Sequence, residues 1–531
     1  MIKINTSPYF DQKPGTGGLR ARTKRFLEPN YLENFIQSAL TAFAKKNMRT
    51  NFFVLVGDGR FPGDGFLPRI IRVLRANGAE RIMVARGATP TPALSHAIRK
   101  YRADGGFIMS ASHNPGGLDG DFGIKVELSS GGGAPESFTS LLFEETKKIK
   151  EYKTLDLSDD ATMASAEYVD AIGDYADLME SMFDFSLIRK WFSDGRAMRF
   201  DAMNASTGEP AREIFVNRLG APLGSIVRGI PLPDFGGIHP EPNPHYDPEL
   251  VEFMSGPDAA DFGVACDGDG DRNMILGKGT LVYPPDSLAI MMRYHKLIPY
   301  FKDGLKGVAR SIPTSSAVDL VAKKMGINSY ATPTGWKYFA SLLDADMISL
   351  CGEESFGQGG DYIREKDAIF AVLFWLNIMA ATKKTPRQLL IELWRDFGRT
   401  FYTQYSFEGV DKAKADELYE YIKSADMIGR DFGAAKIKSK EDLKYKDPAT
   451  GEVAPNVGIE IKTTDDTRIF FRLSGTGTVG ATLRFYIEKF EQDPNKIETD
   501  LKEYMKDAYE SADKLFRIKE YFPNAQKTIA I

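Results

Sequence analysis

Three aspartates alternate with glycine in the stretch DGDGDR, so Asp267, Asp269 and Asp271 stand two residues apart and a turning loop can aim all three carboxylates at one point. Three hard oxygen donors suit Mg²⁺ or Ca²⁺. The run is not an EF-hand, because its sixth position is Arg272 where that loop needs Gly and its twelfth is Lys278 where it needs Glu. Mg²⁺ fits better, since it takes a few carboxylates plus a phosphate oxygen in place of a full protein cage. An acidic solvated turn is the plain alternative.

A second stretch, SASHNPGGLDGDFGIK, follows the apolar FIM and puts Ser112 at the end of a strand with His113 and Asn114 beside it. Serine, asparagine, proline and glycine suit a turn without any chemistry, so Ser112 reads as turn former or as nucleophile. A serine that carries a phosphoryl group would hand the aspartate cluster the phosphate oxygen it lacks, which joins the two stretches into one site.

RLSGTGTVG contains G-x-G-x-x-G at Gly475, Gly477 and Gly480. A dinucleotide fingerprint needs a helix directly after the glycines, whereas ATLRFYIEKF is β-branched, aromatic and alternating, hence a strand. The better reading is a nest of backbone N–H groups for one phosphate, with Arg472, Ser474, Thr476 and Arg484 adding charge-assisted bonds. KPGTGGLR offers Thr16 and Arg20 for a phosphate or an adjoining loop. TPTGWK and CGEESFGQGGDYIREKD add Thr334, Glu353, Ser355 and Lys366, which suit the hydroxyls of a sugar or, in the structural alternative, cap nearby elements. The histidines show no H-x-x-x-H pair, which argues against a zinc hydrolase; His96, His239, His245 and His295 read as structural.

The elements that must position these groups belong to a chain of 531 residues, long enough for three to five domains. Its 43% hydrophobic, 11% aromatic and 27% charged residues exclude disordered, collagen-like and coiled-coil classes. A net charge of −5 lacks the basic excess that non-specific nucleic-acid binding uses. Two cysteines, Cys266 and Cys351, are too few for a disulfide framework. The start MIKINTSPYF shows no signal-peptide pattern, so the chain reads as cytosolic. The longest apolar run, residues 368–381, is too short to span a membrane and reads as a buried helix capped by Asp367.

Short β-rich runs alternate with amphipathic stretches, the mark of α/β units with mostly parallel sheets. They group in threes: FFVLV, RIMVA, GFIMS; MRFDA, GSIVR, FGVAC; GVARS, NSYAT, MISLC. Each trio closes on a polar loop, SASHNP, DGDGDRN and GEESFG in turn, at the strand ends where open α/β sheets place ligands. SSAVDLVAKKMG reads as a helix capped at Ser315 or Ser316 and stopped at Gly326. Beyond Phe401, charged helices surround three strands, VGIEIKTT, TRIFFRLS and ATLRFYIEKF, which predicts an α+β unit. The expected division is 1–188 (phosphoserine loop), 189–281 (metal loop), 282–398 (sugar loop) and 399–531 (phosphate loop), around a central cleft.

SASHNPGG, DGDGDRNMILG, CGEESFG with IREKD, and RLSGTGT, in that order and nearly end to end, resemble the α-D-phosphohexomutase superfamily, in particular its α-phosphoglucomutase branch of parafusin-like type. The resemblance implies three similar α/β domains and a smaller fourth. It implies reversible conversion of glucose 1-phosphate and glucose 6-phosphate through glucose 1,6-bisphosphate. Ser112 would be the phosphoserine, and Asp267, Asp269 and Asp271 would hold one Mg²⁺ against its phosphate. Arg20, His113, Lys125 and Arg272 would surround the transfer site, with Lys125 as general acid or base. Thr334, Glu353, Ser355 and Lys366 would bind the sugar, and Arg472, Ser474, Gly475, Thr476 and Arg484 the non-reacting phosphate. Partners would be sugar phosphates, with no nucleic acid or membrane, in a monomer or weak dimer. Gly17, Ser110 and Thr478 depart from the commonest pattern without removing a needed donor. The GEESFG loop looks glucose-specific, whereas mannose-tolerant relatives carry GEMSGH-like loops. A mannose or amino-sugar phosphomutase and an idle phosphoprotein scaffold are the rival readings.

Overall fold

The computed structural model describes residues 1–15, 17–474, 481–523 and 527–529. In the first unit β1 (Phe52–Gly57) lies between β2 (Arg81–Ala88) and β3 (Gly105–Met109), all parallel, and β4 (Asp121–Leu128) pairs antiparallel with β3. The second unit repeats this with β5 (Met198–Asp201) between β6 (Ile226–Val227) and β7 (Phe262–Cys266), and β8 (Asn273–Gly277) antiparallel to β7. In the third, β9 (Val308–Ser311) lies between β10 (Ser329–Thr332) and β11 (Leu350–Glu353), and β12 (Gly357–Gly360) reverses against β11. The order second–first–third–fourth strand is the same in all three sheets. The trios expected from the sequence are therefore the parallel cores of three like units.

The antiparallel fourth strand is what makes the three polar loops equivalent. Each connects a buried parallel strand to the strand that returns beside it: residues 110–120, 267–272 and 354–356. The strands β3, β7 and β11 are buried at every position. Buried on both faces, they hold the start of each loop rigidly.

The two helix caps expected from the sequence differ in outcome. α1 (Ala317–Met325) ends at Gly326 with φ 70, but Ser316 makes no capping bond, and Ser315 Oγ instead accepts from Ala317 N at 3.4 Å. α2 (Ala368–Thr382) starts where Asp367 Oδ1 accepts from Phe370 N at 3.0 Å, and Tyr175 and Tyr362 donate to the same carboxylate. Every residue from Ala368 to Ala380 is buried. Ile369, Phe370, Leu373, Phe374 and Leu376 sit in the largest core cluster, each worth about 1.5–3 kcal/mol of burial. The amide of Asn377 is spent on Leu297 O and Asp184 N. Among the described residues no single helix is long and apolar enough to cross a membrane.

The fourth unit is an antiparallel sheet, β13 (Arg399–Val410), β14 (Ala435–Lys446), β15 (Val453–Thr463), β16 (Arg468–Ser474) and β17 (Ala481–Glu491), in the order β14-β15-β16-β17-β13. α3 (Lys412–Ser424) and α4 (Leu501–Leu515) flank it and close a core around Phe471, Phe485 and Phe516.

Candidate active site

Ser112 is fully buried and held at φ 52, the left-handed region that costs a non-glycine residue about 1 kcal/mol. Ser110 Oγ accepts its N–H at 2.8 Å. That conformation turns Ser112 Oγ away from its own sheet and into the second unit, where it donates to Asp267 Oδ2 at 2.9 Å. His113 Nδ1 lies 3.3 Å from the same Oγ.

The three aspartates converge. One carboxylate oxygen from each lies within 4.8 Å of the others, and all three side chains are buried. The turn that achieves this needs Gly270 at φ 72, where a Cβ would press to 2.7 Å on Pro90 and Thr207. Asp267 Oδ1 is taken by the backbone N–H groups of Asp271 and Arg272. Asp269 Oδ2 accepts from Lys125, Thr91 and Ser110 at 2.5, 2.9 and 3.2 Å. Among the described residues Asp269 Oδ1 accepts no hydrogen bond, and Asp271 Oδ1 has only the more distant charges of Lys366 at 3.4 Å and Arg272 at 3.9 Å. Burial, followed by repulsion from Asp271 and Asp269, pushes the Asp267 carboxyl well above the usual range. The protein's own cations therefore leave this cluster short of positive charge, and buried oxygens without donors fit a bound divalent ion.

Cations ring the cluster. Lys125 projects from β4; burial opposes its charge, but Asp269, Asp271 and Glu365 together outweigh burial and keep it an ammonium. Arg20 reaches Asn114 Oδ1 at 3.3 Å, while its buried Nε finds no hydrogen-bond partner among the described residues. Arg272 pairs with Glu241 at 3.3 Å, and its buried Nε, 3.9 Å from Asp271 Oδ1, makes no hydrogen bond among the described residues. Two buried guanidinium N–H groups without hydrogen bonds among the described residues are a cost that a bound anion would relieve. Burial first, then Arg272, Arg20, His239 and Lys366, hold the His113 imidazole neutral far below its ordinary pKa.

From the third unit Lys366 Nζ bonds Glu353 Oε1 at 2.9 Å. Burial would raise the Glu353 carboxyl, but Lys366, Arg272 and a hydrogen bond from Ser355 hold it low. From the fourth unit Arg472 Nη1 donates to Thr334 Oγ1 at 2.5 Å and comes within 3.9 Å of Glu354. Arg484 sits directly across the ladder from Arg472, a like-charge pairing that is unfavourable by itself. Ser474 ends β16; Gly475 and Thr476, like Thr16, lie outside the described residues. The contacts thus run from Ser112 through the aspartates to Lys366 and Glu353, and from Glu354 to Arg472.

Several groups at the site carried no recognisable sequence signal. Thr91, in the run T-P-T-P, bonds Asp269 without standing out in the sequence, and Ser110, which stands out there only as a departure from the commonest pattern, bonds it too. His239, read from the sequence as structural, stacks on Tyr246 at 4.0 Å, with its ring 6.0 Å from that of His113. Glu241 belongs to the same loop, whose Pro240 carbonyl accepts from Gly268 N. The P-E-P-N-P context looks like a plain turn, and nothing in it announces a partner for Arg272.

Comparison with known proteins accords with this geometry. Residues 11–153, 166–280 and 284–397 match phosphoglucomutase/phosphomannomutase alpha/beta/alpha domains I, II and III, and residues 399–528 match the phosphoglucomutase-1 C-terminal domain. The chain is 43% identical to a phosphoglucomutase of Rhizobium radiobacter over the full length of both, and 43% identical to human phosphoglucomutase-1 over 94% of each. Among solved structures it is similar to the open form of the Paramecium exocytosis-sensitive phosphoprotein pp63/parafusin, a phosphoglucomutase, with a TM-score of 0.91 and 40% identity over 99% of each chain. A putative phosphomannomutase from Thermus thermophilus, 21% identical, shares the fold with a TM-score of 0.73 over 97% of this chain and all of its own. The chain belongs to the phosphoglucomutase/phosphomannomutase family, with three α/β domains and a phosphoglucomutase-1-type C-terminal domain.

Proposed function

We propose that the chain is a phosphoglucomutase, interconverting α-D-glucose 1-phosphate and glucose 6-phosphate through a phosphoserine at Ser112 and glucose 1,6-bisphosphate. The observation that carries this reading is the buried Ser112 Oγ, 2.9 Å from Asp267 in the aspartate triplet. The names of the relatives from Rhizobium radiobacter and human support it.

In the loading step the Ser112 Oγ attacks phosphorus and gives its proton to Asp267 Oδ2, to which it already donates at 2.9 Å, while His113 stays neutral beside it. The P–O bond to the sugar breaks, and the departing sugar oxygen takes a proton from Lys125. The return step reverses both transfers on the other sugar oxygen. Asp267, Asp269 and Asp271, with a phosphate oxygen on Ser112, would hold one Mg²⁺, which supplies the positive charge that such transfers need. Arg20 and Arg272 neutralise the equatorial oxygens through their unmatched Nε groups. Glu353, Ser355, Thr334 and Lys366 grip the sugar hydroxyls in either orientation, while Arg472, Ser474, Gly475, Thr476 and Arg484 anchor the phosphate that does not react. The two phosphate sites then lie on different domains, for which we take boundaries near 188, 281 and 398. Relatives named cytoplasmic, such as one of Populus tremula, support a cytosolic reading alongside others named chloroplastic.

A coupled assay following glucose 6-phosphate formation from glucose 1-phosphate tests the reading. Activity that depends on glucose 1,6-bisphosphate, with kcat/KM higher for glucose than mannose 1-phosphate, is expected. More than about a hundredth of the rate remaining in Ser112→Ala would overturn the carrier role.

A further inference from the structure

Arg60 is 1% exposed and spends every nitrogen of its guanidinium. Nε bonds the Asp58 carboxylate at 2.8 and 3.1 Å, Nη1 donates to Asp121 O at 3.0 Å and Asn114 O at 3.3 Å, and Nη2 donates to Ser112 O at 2.6 Å. The Phe235 ring of the second unit covers its Cζ at 5.0 Å, within cation–π range. Phe61, next in the chain, donates its N–H to Pro233 O at 2.9 Å, so the second unit is tied to this corner by backbone as well.

The carbonyl that Nη2 holds is the one that matters for Oγ. Ser112 sits at φ 52, and neither of its backbone polar groups joins a sheet ladder: Ser110 Oγ takes the N–H and Arg60 takes the C=O. The metal-loop backbone presses on the same carbonyl, since a Cβ on Gly268 would stand 2.4 Å from Ser112 O and 3.4 Å from Arg60 Nη2. Release of the carbonyl would let the residue relax toward φ below zero and swing Oγ off Asp267. A planar fork with donors fixed in direction can hold three carbonyls and a carboxylate at once; an ammonium on a flexible stem cannot.

We propose that Arg60 is a positioning residue that locks the Ser112 backbone in its left-handed conformation and so sets the aim of Oγ at the aspartate triplet. The proposal rests on the carrier role of Ser112 proposed above. Arg60, buried and with every guanidinium nitrogen already bonded, has no free nitrogen left for sugar or phosphate. Its loss therefore strikes the transfer step and spares sugar binding, because a misplacement of about 1 Å costs on the order of a hundredfold in rate.

The test compares wild type with Arg60→Lys and Arg60→Ala, reading Ser112 phosphorylation by glucose 1,6-bisphosphate in single turnover alongside steady-state kcat and KM. Arg60→Lys keeps the charge beside Asp58 and serves where Arg60→Ala fails to fold. Expected are a fall of about a hundredfold in loading rate and kcat in both variants, KM within about threefold of wild type, and partial recovery of Arg60→Ala, not of Arg60→Lys, by millimolar guanidinium ion. Loading and kcat within threefold of wild type in folded Arg60→Lys would overturn the proposal. So would losses in Arg60→Ala that follow the unfolded fraction with no guanidinium rescue. Wild type that accepts no phosphate would instead bring down the carrier role itself.

Discussion

Ser112 Oγ and Asp267 Oδ2 meet at 2.9 Å although one belongs to the first α/β unit and the other to the second. Neither unit alone makes the pair. The contact exists because the loop after β3 and the loop after β7 arise at the same topological point of two like sheets, whose carboxyl ends face one another. The site is thus a property of how repeated units pack, and its chemistry responds to anything that shifts one unit against the next.

Metal removal tests the cluster by two readouts. Asp269 Oδ1 is buried without a donor, so Mg²⁺ added to chelator-treated protein should restore activity and raise the melting temperature. At a hundredfold excess over Kd, linkage predicts about 2.7 kcal/mol of added stability. A melting curve unmoved by Mg²⁺ would mean the triplet holds no ion.

Lys125→Met should lower kcat by about 10²–10⁴-fold, the usual range for a lost acid–base group. It also strips Asp269 of its cation at 2.5 Å, leaving a buried carboxylate uncompensated. The variant should melt below wild type without Mg²⁺ and recover part of that difference with it. Wild-type kcat would remove Lys125 from the mechanism.

Arg472→Ala should act on affinity. Its charge-assisted bonds are worth roughly 1.5–3 kcal/mol each, so kcat/KM should fall about 10- to 100-fold for both sugar phosphates, mostly through KM. A loss confined to kcat would place Arg472 at the reacting phosphate.

Asp286 supplies a pH test away from the chemistry. Burial raises its carboxyl to about 6, against the pull of Arg399 and a hydrogen bond from Trp394. A raised carboxyl pKa means the folded chain holds the proton more tightly than the unfolded one. The group is neutral in its effect below about pH 4, destabilises progressively between about pH 4 and 6, and adds no further loss above that. Asp286→Asn should match wild type in stability near pH 4 and exceed it at pH 8 by about 1–3 kcal/mol. Denaturant melts at the two pH values decide it, and a pH-independent difference would contradict the cause given.

The parallel strands were legible because runs such as FFVLV and FGVAC are apolar throughout, and the four loops because their residue types have few uses other than chemistry. What stayed hidden broke a hydrophobic pattern. β4 carries Lys125 and Glu127 buried beside the site, which disguises a strand as a polar segment. β14, AKIKSKEDLKYK, is a lysine-rich strand toward the edge of the sheet, where charge guards against unwanted pairing. The fourth unit therefore holds more strands than the three its sequence suggests. Arg60 was hidden for another reason: D-G-R after a strand reads as a solvated turn, and only three-dimensional packing turns its guanidinium inward.

The most direct test of the carrier claim is intact-mass measurement of the protein before and after exposure to glucose 1,6-bisphosphate, with peptide mapping of the product. A single addition of about 80 Da on the peptide containing Ser112, absent from Ser112→Ala, is the predicted result. No added mass under conditions of active turnover, or a phosphate mapped to another residue, would contradict it.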